Sequence, residues 1–471
     1  MQKNDPALIG ADKIGAEKIS GKLQGPQAFA AVCLGQMVSL CGSHLTGFVL
    51  GIWVYQQTRS ATRFSFISFC AIVPEILLGP IAGAMVDRWN RRWVLIAGNL
   101  GAALCTLSLI FFALTNQLAL QGRLAIWPIY VVVAASSAFQ AVQYPAVSAS
   151  TALWVPAQHL SRANALMELG NSIAMIVAPA LAATLLGAIG FKGIFVIDVV
   201  TFVFAIGTLF LSYFPCHQAA SRNEAGHSSL LREALQGWHY VKGRRELLAL
   251  LILFAFTNFA MGAVQVLLPP LVLSFSSPLA LGTVMSFAGG GLVAGSLLVS
   301  VFGGPRHKVR AILLCVLGQG VVLFLGVFRP SVPLVAGAAL MFSVCAPVIF
   351  ACSQTIWQTE VEQEIQGRAF AIRRLVAWSS LPAAYLMAGP LADRICEPLM
   401  AANGALAGTV GALIGTGTGR GIALLFIVLG LVIVATVAIG SRYRPFWQLE
   451  QRLLAKMAKM KEEKDSRPVF V

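Results

Sequence analysis

The chain has 471 residues, 57% of them apolar and 11% charged, with a mean hydropathy of +0.78. Soluble domains carry about 25% charged residues, so a water-soluble fold is excluded. Nine cysteines without a Cys-x-x-Cys motif argue against a disulfide framework or a zinc site, and the net charge of +15 raises nucleic acid only until the charges are placed.

Residues 1–26 form a polar tail with four lysines and no apolar core, unlike a signal peptide. Apolar runs follow at 28–56, 63–86, 94–115, 125–148, 163–190 and 192–214. After a polar interval come runs at 247–274, 279–302, 310–328, 331–355, 368–391 and 421–440. Most exceed the roughly 20 residues that cross a hydrocarbon core at about 1.5 Å rise each. The pattern predicts an all-α membrane protein of twelve transmembrane helices. It divides into a tail over 1–26, six helices over 27–214, a linker over 215–246, six helices over 247–441 and a tail over 442–471. Residues 392–420 are expected to form a glycine-rich outer loop.

The second run ends in Gly79-Pro80-Ile81-Ala82-Gly83-Ala84-Met85-Val86-Asp87-Arg88-Trp89-Asn90-Arg91-Arg92. A lone charge at the bilayer centre costs about 3 kcal/mol, so the helix leaves the membrane where these charges begin. Gly79 and Gly83 stand four apart and share a face with Glu75, which follows Pro74. That face is expected to pack against protein, aiming Glu75 inward near mid-membrane.

In the linker, Leu231, Ala234, Leu235, Trp238 and Val241 recur at helical spacing among basic residues. In the C-tail, Phe446, Leu449, Leu453, Met457 and Met460 do the same. Both read as amphipathic helices anchored at the membrane surface. Placing both tails, the linker, the Asp87 loop and every second loop on one side puts 27 of the 34 lysines and arginines there. Positive residues stay in the cytoplasm, so both termini are expected to be cytoplasmic, and the basic balance is topology rather than nucleic-acid binding.

The segment Gly79-Pro80-Ile81-Ala82-Gly83 has weak echoes in Ala178-Pro179-Ala180-Leu181-Ala182 and in Gly389-Pro390-Leu391-Ala392-Asp393. Their placement at opposite ends of their spans suits inverted three-helix repeats nested within each half. The pattern Gly83-x-x-x-Asp87-Arg88-x-x-Arg91-Arg92 resembles the signature loop of the major facilitator superfamily, which joins its second and third helices. Gly35-Gln36-x-x-Ser39-x-x-Gly42-Ser43, Tyr144-Pro145-Ala146, Arg162-Ala163-Asn164 and Gln366-Gly367-Arg368 are similar to the bacterial exporter branch for macrolides, siderophores and peptide metabolites. So is Gly389-Pro390-Leu391-Ala392-Asp393-Arg394. The second-half loop, Gly303-Gly304-Pro305-Arg306-His307-Lys308, lacks the acid of the first.

The resemblance implies a gate. Asp87 would cap the start of span eleven at Gln366, Gly367 and Arg368, with Gly83 allowing close packing. Arg88, Arg91 and Arg92 would hold the carboxylate and reach Glu360, Glu362 or Glu364. It also implies that spans one, four, seven and ten line the cavity. That gives Ser43 and His44; Gln140, Gln143 and Tyr144; Asn258, Met261 and Gln265; Phe342 and Phe350.

Ionisable residues inside spans are the candidates for proton coupling. Glu75 leads, with His44 as its partner, against a packing role of equal weight. Glu168 lies near a span end beside Asn164, Asn171 and Ser172 and reads as a gate or polar cluster. Asp198 reads as a structural hydrogen-bonding group, with Asn99 or Lys192 as its expected partner. No phosphate-binding loop, metal cluster or catalytic constellation occurs, so the expectation is no enzyme, no cofactor and no metal. The reading is a monomeric, multi-pass transporter of the bacterial inner membrane that exports an amphipathic small molecule against protons. Uptake and lysolipid transport stand as alternatives, and a sensor or scaffold without flux as a further one.

Overall fold

The computed structural model describes residues 23–114, 126–156, 159–214, 238–302, 304–362 and 365–465. Tail residues 1–22 and linker residues 215–237 lie outside them. Ten of the described helices are long and apolar enough to cross a membrane, and one isolated bridge, Leu23 to Ser212, accompanies them. The contacts divide the chain into two compact units, Met1–Gly51 with Cys70–Arg222, and Ile52–Phe69 with Asn223–Val471.

The first unit holds most of α1 (Gly25–Thr58) and α2 (Ala61–Arg88), with α3 (Arg91–Leu114), α4 (Trp127–Ala141), α5 (Gln143–Trp154) and α6 (Leu160–Leu211). Between α2 and α3 the chain turns in two residues. The Asn90 side chain accepts from the Arg92 amide at 3.1 Å and caps α3. The apolar run at 125–148 is not one helix. Pro145 has no N–H to bond the Ala141 carbonyl, and the chain is interrupted at Val142. At 52 residues, α6 would be about 78 Å long if straight, more than twice a hydrocarbon core of about 30 Å. It breaks at Gly190, whose φ of 66° and ψ of −175° suit glycine alone. A core of Phe29, Val32, Leu95, Val147, Trp154 and Leu209 ties α1, α3, α5 and α6 together. The alanines of the first echo, Ala178 and Ala182, are fully buried against Leu45 and Val49 of α1.

The second unit contains α7 (Arg245–Phe275), α8 (Pro278–Phe302), α9 (Lys308–Gly326), α10 (Val332–Glu360) and α11 (Gln366–Leu391). It ends with α12 (Arg420–Arg442) and α13 (Arg444–Asp465). A β-carbon on Gly291 would strike the Leu340 carbonyl, and one on Gly295 the Val344 carbonyl, so α8 lies on the backbone of α10. The expected loop at 392–420 begins later than its composition implies. Helix α11 runs on through a π-helical turn, Ala392–Cys396, into Glu397–Leu399.

The C-terminal helix is amphipathic as expected, but its apolar stripe faces protein rather than lipid. Phe446, Leu449 and Leu453 are buried where α13 packs on α7, α9, α10 and α12. Met457 and Met460 lie outside the described side chains. Charged groups fasten the same face. Glu450 accepts from the Val309 amide at 2.7 Å and meets His307 at 3.1 Å, Arg452 pairs with Glu246 at 2.6 Å, and Lys456 pairs with Glu360 at 2.7 Å.

Candidate functional site

In the first unit, polar side chains recur at helical spacing. Gln36, Ser39, Ser43 and Thr46 form a stripe on α1, and Asn99 and Thr106 stand seven apart on α3. Ser39 donates to Asn99 at 3.3 Å, and Asn99 donates to Gln36 at 3.5 Å and to the Leu95 carbonyl at 2.8 Å. Thr106 donates to Asp198 at 2.9 Å. Asp198 is 1% exposed, so its carboxyl fastens α6 to α3. The structural reading of Asp198 fits, but its partner is Thr106 rather than Asn99 or Lys192, since Asn99 is engaged with α1.

Glu75 stands differently from its expectation. It is exposed, and a β-carbon on Gly79 would meet no atom within 4 Å, so this face of α2 is open rather than packed. No ion pair joins it to the half-buried His44 among the described residues, and the His44 Nε2 atom is buried without a hydrogen-bond partner. The side chains of Gly83, Asp87, Arg88, Glu168, Gly367, Arg368 and Glu364 lie outside the described residues.

The described arginines of the charged loop find carbonyl partners within the first unit. Arg91 donates to the Ala149 carbonyl at 2.8 Å, while Arg92 reaches the Phe210 carbonyl at 3.4 Å and lies over its ring at 5.2 Å. Both brace α3 within its own unit. Glu360 is taken by Lys456, and Glu362 by Arg244 at 2.7 Å.

Among the cavity candidates, Gln140 bonds Ser136 at 3.1 Å and is separated from the exposed Tyr144 by the break at Val142. Ser43 and Gln143 are half-buried, as are Asn258 and Met261 on α7. Gln265 accepts from the Tyr385 hydroxyl at 2.6 Å, linking α7 to α11. Phe342 is 7% exposed and belongs to the packed interior, whereas Phe350 is 67% exposed. A phenyl ring gives no sign in sequence of which face it will take.

Two acids that sequence reasoning did not select do organise a local structure. Asp393 accepts from the Ser60 hydroxyl at 2.6 Å, the Ala61 amide at 3.0 Å and the Thr62 amide at 2.8 Å. It thereby caps the N-terminus of α2, where free amides and the helix dipole favour an anion. Gly389, one turn earlier, has no side chain because Thr62 and Ser65 occupy the space. Glu397 does the same for α12, accepting from the Gly419 amide at 2.7 Å and the Gly421 amide at 2.8 Å. The sequence signals were the Gly389–Asp393 echo of Gly79–Gly83 and the resemblance of Gly389 to Arg394 to the exporter branch.

Helices of membrane length, fastened by polar contacts from helix to helix and carrying ionisable residues within the spans, define a multi-pass membrane protein. The chain belongs to the Major Facilitator Superfamily, whose pattern matches residues 32–384. It is similar to macrolide efflux protein A of Streptococcus pyogenes, 26% identical over 379 residues, or 78% of this chain and 90% of that protein. It is likewise 26% identical to the multidrug efflux pump Tap of Mycolicibacterium fortuitum over 381 residues, 78% of this chain and 88% of that one. Among solved structures, a bacterial homolog of the human lysosomal transporter Spinster superposes with a TM-score of 0.64 at 12% identity, covering 90% of this chain and 97% of that one. The nucleoside transporter NupG gives 0.63 at 12% identity, covering 88% and 99%. The protein is a transporter rather than an enzyme.

Proposed function

We propose that the protein exports amphipathic small molecules from the bacterial cytoplasm in exchange for protons, by alternating access. The observation that carries this reading is the similarity, over most of the chain, to proteins named for macrolide and multidrug efflux. The twelve-span reading counts the interrupted α4–α5 as one crossing and α6 as two, divided at Gly190. The lysine and arginine bias favours cytoplasmic termini.

Glu75 is the proposed proton carrier. It is an exposed acid within a span, able to load and unload, whereas Asp198 is sealed and engaged with Thr106. Tyr144, Asn258, Met261 and Phe350 are the proposed substrate contacts. Two acid caps would serve the two access states. Asp393, at the end of α11, caps the start of α2 in the arrangement described. Asp87, in the last turn of α2, would cap the start of α11 in the opposite one. The nested repeat motivates this symmetry, since both acids follow a Gly-Pro segment.

The test is accumulation of a macrolide panel in cells lacking their own pumps, with and without an uncoupler. Lower accumulation, restored by the uncoupler, is expected. Equal accumulation with and without the protein would refute export, and export indifferent to the uncoupler would refute proton coupling.

A further inference from the structure

A cavity of about 770 Å³ opens in the second unit where α7 begins, α12 ends and α13 starts. Arg245, Arg442 and Arg444 line it, with Glu246, Tyr443 and Gln448. The three arginines are exposed and enter no hydrogen bond or ion pair among the described residues. The one acid in the lining, Glu246, is occupied by Arg452 at 2.6 Å. The cavity therefore carries uncompensated positive charge, in contrast to the nearby Arg244, which is paired with Glu362.

Position identifies the ligand. Arg245 is the first residue of one candidate span and Arg442 the last of another, so the cavity sits at a membrane–water boundary. Ile439, one turn inside Arg442, is 72% exposed and offers an apolar wall on the membrane side. Trp447 is also exposed, with its indole N–H on the Ser441 carbonyl at 2.7 Å, as suits an interfacial ring. Guanidinium groups bind phosphate oxygens in pairs, and basic pockets between spanning helices suit anionic headgroups. We propose that this cavity binds the phosphate headgroup of an anionic phospholipid, with its acyl chains along α12 at Ile439. The proposal is independent of the transported substrate and of the direction of transport.

The test is native mass spectrometry of the full chain in detergent, titrated with dioleoylphosphatidylglycerol, dioleoylphosphatidylcholine or inorganic phosphate. The parent is expected to retain phosphatidylglycerol under conditions that strip phosphatidylcholine. At about 1 kcal/mol per basic residue, each single Arg→Gln change lowers affinity about fivefold, and the Arg245→Gln/Arg442→Gln/Arg444→Gln triple about a hundredfold. Arg442→Lys is expected to fall between parent and Arg442→Gln, and it keeps the test open should the triple fail to fold. Arg394→Gln, beyond the opposite end of α12, is expected to bind as the parent does. Equal retention of both lipids, or parent-like binding by the triple, would overturn the site. Release of phosphatidylglycerol by millimolar inorganic phosphate would overturn the lipid assignment in favour of a free anion.

Discussion

Replacing Asp393 by Asn tests the cap on α2 with little change of shape. In the parent, one carboxylate oxygen accepts from Ser60 and the Thr62 amide, and the other from the Ala61 amide. An Asn side chain keeps one acceptor and sets an NH2 group against a donor. Loss of one charge-assisted hydrogen bond, about 1.5–3 kcal/mol, overlaps with loss of an anion at a helix start, about 0.3–2 kcal/mol. A combined cost of about 2 kcal/mol corresponds to roughly a 30-fold change in a local opening equilibrium. Hydrogen–deuterium exchange of the purified protein reads this directly. The amides of residues 61–63 should exchange about 30-fold faster in Asp393→Asn, while those of Gly419 and Gly421, held by Glu397, keep the parent rate. Glu397→Gln should invert the pattern. Parent-like exchange at 61–63 in Asp393→Asn would show that the carboxylate does not hold α2.

A β-carbon on Gly295 meets the α10 backbone, while one on Gly290 meets nothing within 4 Å. Gly295→Ala should therefore cost about 1–3 kcal/mol of overpacking, seen as earlier loss of monodisperse protein on heating, and Gly290→Ala should not. Lys456→Gln strands the Glu360 side chain, which is 4% exposed. A loss of about 1–3 kcal/mol is expected by the same heating assay, largely recovered in the Lys456→Gln/Glu360→Gln double variant; additive losses would sink the pairing. Glu75→Gln should abolish uncoupler-sensitive export yet leave substrate binding, and undiminished active export would move the proton elsewhere.

The length of an apolar run reveals a span, so the helices and most of their limits were legible in the sequence. The stripe of Phe446, Leu449 and Leu453 was legible too, but an apolar stripe does not state whether lipid or protein covers it. The break at Val142 follows from Pro145, yet one proline within a long apolar run leaves open whether the helix kinks or divides. Asp393 was visible as part of an echo and of a family-like segment, neither of which names what it holds. Its partner Ser60 lies 333 positions earlier, and helical spacing carries no information across such a distance. Glu75 misled for the opposite reason: neighbouring glycines suggest close packing, but absence of a side chain is also compatible with open space.

The fastening of α13 has a consequence for biogenesis. A ribosome delivers α7, α9 and α10 before α13, so for an interval the Val309 amide awaits Glu450 and the Glu360 carboxylate awaits Lys456. Leu449 and Leu453 have yet to cover their neighbours during the same interval. The second unit thus reaches its finished arrangement only when translation has passed residue 456. A chain stalled or cleaved before that point leaves that apolar surface uncovered and the Glu360 carboxylate without Lys456. The last described helix thus closes contacts that the helices made before it leave open.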